Sequence, residues 1–223
     1  MTDHPALSGA HEADYAGRVS KQIPGLGDMH LMAGLLLAEH VPTNGRVLVL
    51  GAGGGLELKA FAQLQPDWQF DGVDPSDVML NQANHTLGSL ASRVRFHEGY
   101  IDDAPDGPYD GAACLLTLHF LPEAERRRTV TQMAKRLKRG APLVVMHHSF
   151  PSAETDKWLS RYSAFTNAKG ASPIGLQQIG MMKRKLPVLS PNEDEAVLRD
   201  AGFEDIDMFY AAFTFKGWVC KKV

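Results

Sequence analysis

Val47–Leu48–Val49–Leu50–Gly51–Ala52–Gly53–Gly54–Gly55 is the stretch whose reading decides the fold. Four successive apolar residues with no polar alternation suit a strand buried on both faces, as a central parallel strand is. The glycines at 51, 53 and 55 permit backbone angles closed to other residues and let a ligand come close to the main chain. At the mouth of a parallel strand, such a turn exposes amide N–H groups where an anionic or polar ligand can sit. Glycines also serve plain tight turns, so this stretch alone leaves two readings open.

Working outward from the turn, Leu58, Phe61 and Ala62 mark a helix from Leu56 to Leu64. Phe70–Asp71–Gly72–Val73–Asp74 follows as a second strand ending in an acid, and Met79 to Leu87 as a second helix. Val94–Arg95–Phe96–His97 alternates like a third strand, and Tyr109 to Leu118 holds a fourth. Glu123 to Leu137 is a charged amphipathic helix, and Leu143–Val144–Val145–Met146–His147–His148 a fifth strand. Strands alternating with helical patterns of about a dozen residues give the βαβ rhythm of a doubly wound, largely parallel sheet.

On the N-terminal side, residues 1–17 are mixed and polar and read as a loose arm. Pro24–Gly25–Leu26–Gly27–Asp28 reads as a turn with a helix cap at Asp28. Leu31, Leu35, Leu36 and Ala38 give an apolar helical face up to His40. Beyond His148 the rhythm breaks. Residues 151–186 carry Trp158, Leu159, Tyr162, Phe165 and Met181–Met182 among Gly170, Pro173 and Gly175, which suggests one or two helices forming a lid or a subunit contact. Glu193 to Asp200 is a further helix. Ile206 to Tyr210 and Phe213 to Val219 then form a terminal aromatic hairpin, expected as an antiparallel edge of the sheet.

The bulk numbers agree with one domain. The chain has 223 residues, 44% of them apolar and 22% charged, enough for a sizeable core and unlike a disordered polymer. A net charge of -3 gives no reason to expect tight nonspecific nucleic-acid binding. The basic stretches 126–139 and Lys183–Arg184–Lys185 are local. Cys114 and Cys220 lie in apolar runs and read as buried thiols, not a disulfide framework. The N-terminal sequence has no basic start followed by an apolar stretch, and no apolar run could span a bilayer, so a cytoplasmic protein is expected.

Asp74 gives the glycine turn a direction. It ends the next strand, 23 positions after Gly51, near the roughly 20-residue spacing of a carboxylate that bonds a ribose hydroxyl. The alternative is that it caps the helix starting around Ser76, with Pro75 in the first turn. No Gly-Lys-Ser/Thr follows the glycines, which removes a nucleoside triphosphate. A dinucleotide motif would need a close-packing glycine where Leu56 stands, so Gly51-x-Gly53-x-Gly55 suits a nucleoside carrying an amino acid better.

With these pieces in place the sequence resembles the class I S-adenosylmethionine-dependent methyltransferases over residues 18–220. Residues 47–55 match the family's first motif, Gly72–Val73–Asp74–Pro75–Ser76 with Met79 its second, and Pro142 to Val145 after Lys138–Arg139–Gly140 its closing loop and strand. Ala201–Gly202–Phe203 before an aromatic hairpin is similar too. Within the family, the layout is similar to the carboxy-S-adenosylmethionine synthase branch. The pieces are Ile23–Pro24–Gly25 with Met32 and Gly34, Leu116 to Leu121, the long insert, and Phe213 to Gly217. The resemblance implies a Rossmann-like α/β fold: a central, mostly parallel seven-stranded sheet, an antiparallel C-terminal edge hairpin, and helices on both faces. It also implies one methyltransferase domain over 1–223, with an N-terminal arm and helix at 1–41 and the insert at 151–186.

Carried onto this chain, the resemblance implies S-adenosyl-L-methionine as cofactor and S-adenosyl-L-homocysteine as product. Gly51, Ala52, Gly53 and Gly55 would face its methionine part, Asp74 with Pro75 and Met79 its ribose side, and Ile101 would offer its backbone near adenine. Leu116 to His119 would line the pocket near the sulfonium. The family often places an acid after the glycine corresponding to Gly99; this chain has Tyr100, with Asp102 as the substitute. The synthase branch has an asparagine where Leu115 stands, and Lys183 to Lys185 would be its source of a cation.

Methyl transfer from a sulfonium needs alignment and water exclusion, and a base only where the acceptor must lose a proton. His119, after the fourth strand, is the candidate base or pocket wall. His147–His148 face opposite ways on a strand, so no metal is expected there. Tyr15 and Arg18 are candidates to fold over the cofactor, or belong to the loose arm. The expected function is methyl transfer to a small molecule, with no membrane or nucleic-acid partner and a homodimer. The alternatives are a carboxy-S-adenosylmethionine synthase-like enzyme of tRNA wobble uridine modification and a non-catalytic cofactor-binding protein.

Overall fold

The computed structural model describes residues 15–171 and 176–223, without the side chains of residues 15, 16 and 176–178. Seven strands form one sheet in the order β3-β2-β1-β4-β5-β7-β6. In chain order they are β1 (Arg46–Leu50), β2 (Gln69–Asp74), β3 (Val94–Glu98), β4 (Gly111–Leu115), β5 (Pro142–His148), β6 (Phe203–Ala212) and β7 (Phe215–Lys222). The first five run parallel, and β7 inserts antiparallel between β5 and β6.

The alternation along each strand explains the two layers of helices. Val47 and Val49 of β1 join one core with Ala113, Val144 and Met146. Leu48 and Leu50 face the other way and join Ala112, Cys114, Leu143 and Val145. The first core is covered by α2 (Leu26–Ala38), α3 (Leu56–Leu64) and α4 (Asp77–Leu87), the second by α5 (Glu123–Arg136) and α8 (Pro191–Asp200). Apolar residues on both faces are what the unalternating sequence of β1 requires. The chain steps from β1 outward to β2 and β3, then returns to the other side of β1 at β4. That reversal makes the carboxyl ends of β1 and β4 the switch point of the sheet, the place where sheets of this kind bind ligands in a crevice.

Outside this pattern stand α1 (Tyr15–Gln22), α6 (Thr155–Ala168) and α7 (Leu176–Lys185). Residues 1–14 of the expected loose arm lie outside the described part, as do Pro173 and Gly175 of the insert. Among the described residues, no helix is long and apolar enough to cross a membrane.

Helix α2 corrects two expectations. It starts at Leu26 behind Gly25, whose φ of +58° suits glycine, so Asp28 lies in its first turn rather than capping it. Its buried face is Leu26, Met29, His30, Ala33, Gly34 and Leu37, while Leu31 and Leu35 are 48% and 51% exposed. The helix is apolar nearly all round, so pattern alone could not choose the face. Close packing chose it: a Cβ on Gly34 would lie 2.8 Å from Leu64 Cδ2, which lets α2 sit against α3. The fourth strand is also shorter than Tyr109 to Leu118, because Leu116 turns to φ +60° and ends it.

Candidate active site

The turn after β1 is built as the glycines require: Gly51, Gly53 and Gly55 all have positive φ, at 75°, 45° and 77°. Two of them are also demanded by packing. A Cβ on Gly51 would lie 1.9 Å from Thr117 Oγ1, and one on Gly55 2.9 Å from Ala83. The amides differ from expectation. Gly51 and Ala52 both donate to the Val73 carbonyl, Gly55 to that of Ala52, and Gly53 to a carboxylate oxygen of Asp74 at 2.9 Å. Four of the turn's amides are therefore committed within the chain. The turn does not present the row of open donors that a diphosphate would need, which agrees with a nucleoside bearing an amino acid.

Asp74 is a brace as well as an edge group. Its other oxygen accepts from Ser76 N at 3.0 Å. These two bonds occupy two of the roughly four acceptor positions a carboxylate offers. The capping alternative is resolved differently from either reading: Ser76 caps α4, accepting from Met79 N at 3.3 Å, and Asp74 holds the turn before it. Pro75 is exposed and Met79 half-buried beside this junction. The signal missed in the sequence was Glu57, in the first turn of α3 and 8% exposed. Burial, with Asp74 adding to it, pushes its carboxyl up to about 8 against a bond from its own backbone, so it is protonated at neutral pH.

On the opposite wall, Leu116 holds the left-handed backbone conformation, its N–H donating to Met146 O at 2.6 Å. Thr117 follows, its hydroxyl donating to Leu115 O. Next, His119 is buried, its Nδ1 facing the His148 N–H at 3.5 Å, the long limit of a hydrogen bond. Burial, then the neighbouring His148, His147 and Arg126, hold its pKa well below the ordinary histidine value. With Nδ1 accepting, the ring proton sits on Nε2, which makes that nitrogen a donor. This arrangement does not support the general-base role expected from its position in the sequence.

The adenine side also departs from expectation. Ile101 is buried in the core with Leu50 and Val73, and its backbone opens a short turn over Ile101–Asp103. Tyr100 is 53% exposed. Asp102 points away, because both its oxygens accept from Arg128 Nη1 on α5, at 2.7 and 2.9 Å. Asp103, also exposed, accepts from Tyr100 N at 2.8 Å. Asp102 is therefore corrected as the substitute acceptor for an adenine amine: a surface arginine claims it.

The remaining candidates lie on the helices outside the core pattern. Tyr15 begins α1, and its side chain lies outside the described part; Arg18 sits half-buried on α1, which packs on α2 and α6. Lys183, Arg184 and Lys185 are all exposed at the end of α7, with Lys183 paired to Asp156 of α6. The aromatic stripe of α6 divides: Tyr162 is buried edge-on to His148 and Phe215, Phe165 packs on Phe213, and Trp158 faces outward cations.

Behind β5 lies a buried charged network that the sequence did not announce. Arg126, fully buried on α5, donates to Asp194 of α8 at 2.6 Å and to Pro187 O at 2.8 Å. His147 Nε2 lies 3.1 Å from the same Asp194 oxygen. His148 faces the other way, stacked on Phe215 and bonded to Thr214 at 2.9 Å. Burial, with His147 adding, lowers its pKa to about 3.

Comparison with known proteins agrees with this geometry. A family model described as a methyltransferase domain matches residues 47–140, from β1 to the loop before β5. The chain is 28% identical over 219 residues to the carboxy-S-adenosyl-L-methionine synthase of Chromohalobacter salexigens, covering 94% of this chain and 80% of that one. It is 25% identical over 211 residues to the enzyme of the same name from Klebsiella pneumoniae, covering 92% and 85%. An O-methyltransferase family protein from Burkholderia thailandensis superposes with a TM-score of 0.67 at 18% identity, over 88% of this chain and 55% of that one. Human N-acetylserotonin methyltransferase, solved with S-adenosylmethionine, superposes at 0.60 and 15% identity, over 96% and 59%. Those two likenesses are of fold, and this chain spans little more than half of either protein. From the glycine turn, the strand order and the domain match together, residues 47–140 carry a methyltransferase domain, set in a sheet of the methyltransferase fold.

Proposed function

We propose that the chain transfers a methyl group from S-adenosylmethionine to a small-molecule acceptor at the carboxyl ends of β1, β2 and β4. The observation that carries this reading is the Asp74 carboxylate, which braces the glycine turn through Gly53 and Ser76 at the edge of the crevice. In this reading Gly51, Ala52, Gly53 and Gly55 form the floor under the methionine part, and Asp74, with Pro75 and Met79 beside it, holds the ribose hydroxyls. The Ile101 backbone, flanked by Tyr100, meets the adenine. The cofactor supplies a methyl group on a positively charged sulfur. The protein's work is to align it with the acceptor and keep water out. Leu116 and Thr117 form the wall on the acceptor side, and His119 serves there as a neutral hydrogen-bond donor. Arg18, on the helix packed against α6, closes the rim.

The same reading takes residues 1–223 as one domain, with 151–186 covering the site, and the enzyme as a cytoplasmic homodimer. The exposed pair Leu31 and Leu35, one turn apart on α2, supports an interface. A second reading, carboxylation of the cofactor as the relatives' name describes, is favoured by their match along more than nine-tenths of this chain. Against it stand the apolar Leu115 at the end of β4 and the exposure of Lys183 to Lys185. The test is incubation with methyl-deuterated cofactor and a pooled cell extract, followed by mass spectrometry. Methyl transfer predicts S-adenosylhomocysteine and a labelled small molecule. A carboxylated sulfonium nucleoside would establish the second reading. No turnover despite cofactor binding would leave a binding protein.

A further inference from the structure

A cavity of about 270 Å³ lies at the β5–β7 end of the sheet, and it shares no lining residue with the glycine turn or Asp74. Phe150 and Pro151 after β5, Trp158 of α6, Pro191 and Asn192 at the start of α8, and Lys216 of β7 form its walls. It is mostly apolar, with one cation, one amide and the hydroxyl residues Ser149 and Ser190, which is how small-ligand sites are composed. Its volume falls just below the usual range of about 300–1,000 Å³, so it suits a molecule of one ring.

Lys216 is set for a ligand. Its Nζ donates to Phe213 O at 2.9 Å and Phe215 O at 3.2 Å, and lies 5.1 Å from the centre of the Trp158 ring. An ammonium has three donors, so two carbonyls fix its orientation and a third N–H is left. Among the described residues no carboxylate pairs with it, and burial lowers its pKa. The Trp158 indole is itself oriented, donating to Glu154 at 2.8 Å. Lys157 and Arg161 also lie over its ring, at 5.5 and 4.9 Å. Around the indole three cations therefore face Glu154, which already pairs with Lys157. Glu193 of α8 is turned back on Ser190. The local field is positive beside an apolar wall.

We propose that this cavity is a binding site for a compact organic carboxylate with an apolar body, its carboxylate on Lys216 and its body against Trp158, Phe150 and Pro191. The test uses the native full-length chain. Trp68 and Trp218 are fully buried, so Trp158 reports the site by its fluorescence. Titration with benzoate should give saturable quenching, with benzamide, its uncharged counterpart, and inorganic phosphate, an anion without the apolar body, each at least about tenfold weaker. Lys216→Met should weaken benzoate about tenfold or more while Lys216→Arg retains it, and Asp74→Ala should leave it unchanged. Absence of saturation, equal binding of benzamide or phosphate, or indifference to Lys216→Met would overturn the proposal. Loss of benzoate binding in Asp74→Ala would do the same, by placing the ligand in the nucleoside crevice. If Lys216→Met fails to fold, the comparison of benzoate, benzamide and phosphate on the native chain still decides.

Discussion

The two halves of the sheet's carboxyl edge are built from different materials. At β1 and β2 the edge is shaped by backbone: positive-φ glycines, amides turned onto Val73 O, and Asp74 bracing the turn across strands. At β5 and β7 it is shaped by side chains: Arg126, Asp194 and His147 on one face, His119, His148, Thr214 and Phe215 on the other. The difference teaches which half tolerates change. A backbone-built turn fails by steric overlap, whereas a buried charged network fails when one partner is left alone.

The largest effect should come from the side-chain half. Arg126→Met leaves Asp194 buried without its guanidinium, and we expect a loss of about 3–5 kcal/mol in urea unfolding. A loss under 1 kcal/mol would mean that His147 alone carries Asp194. Next comes the backbone half. Gly51→Ala puts a methyl group onto Thr117 Oγ1 at a φ of +75°, and should cost about 1–3 kcal/mol with loss of cofactor binding. Adding Thr117→Ala should remove the overlap with Oγ1 and Cγ2 but leave the 2.8 Å approach to the residue 117 Cβ and the backbone strain, so full recovery would contradict the account.

Acid should separate the halves further. His30 and His148 are held neutral by burial, at about 4 and about 3, and His119 is lowered too. A histidine whose folded pKa lies below its unfolded value of 6.5 gives full stability above 6.5. That stability falls as the pH drops toward the folded pKa, by up to about 1.4 kcal/mol per pH unit for each. Unfolding free energy should therefore decline from pH 6.5 to 4, and His30→Leu should flatten the slope. Glu57 works in the other direction. Its raised pKa of about 8 makes its contribution full below the usual carboxylate range and lost as pH rises toward 8. The smallest change is Leu116→Gly: relief of the left-handed backbone and loss of a half-buried side chain should offset to within about 1 kcal/mol in thermal unfolding.

The same contrast decides what the sequence revealed. Strand alternation with helices, the glycine turn and Asp74 are local or carried by spacing, so the sheet and its reversal at β1 were legible. The bonds from Arg126 to Asp194 and from His148 to Thr214 join residues 68 and 66 positions apart, and no local pattern marks them. Asp102 failed as a candidate because Arg128 of α5, 26 positions away and outside the motif, takes both its oxygens. The face of α2 was hidden because its apolar residues run all the way round, and only Gly34 against Leu64 shows which side is packed.

Calorimetric titration of S-adenosylmethionine into the native chain and into Asp74→Ala weighs the central claim most directly. A saturable native isotherm with at least about tenfold weaker binding in the variant, at unchanged circular dichroism, is the expected result. Equal affinities in the two proteins would mean that the carboxylate at the end of β2 only braces the turn and does not hold the nucleoside.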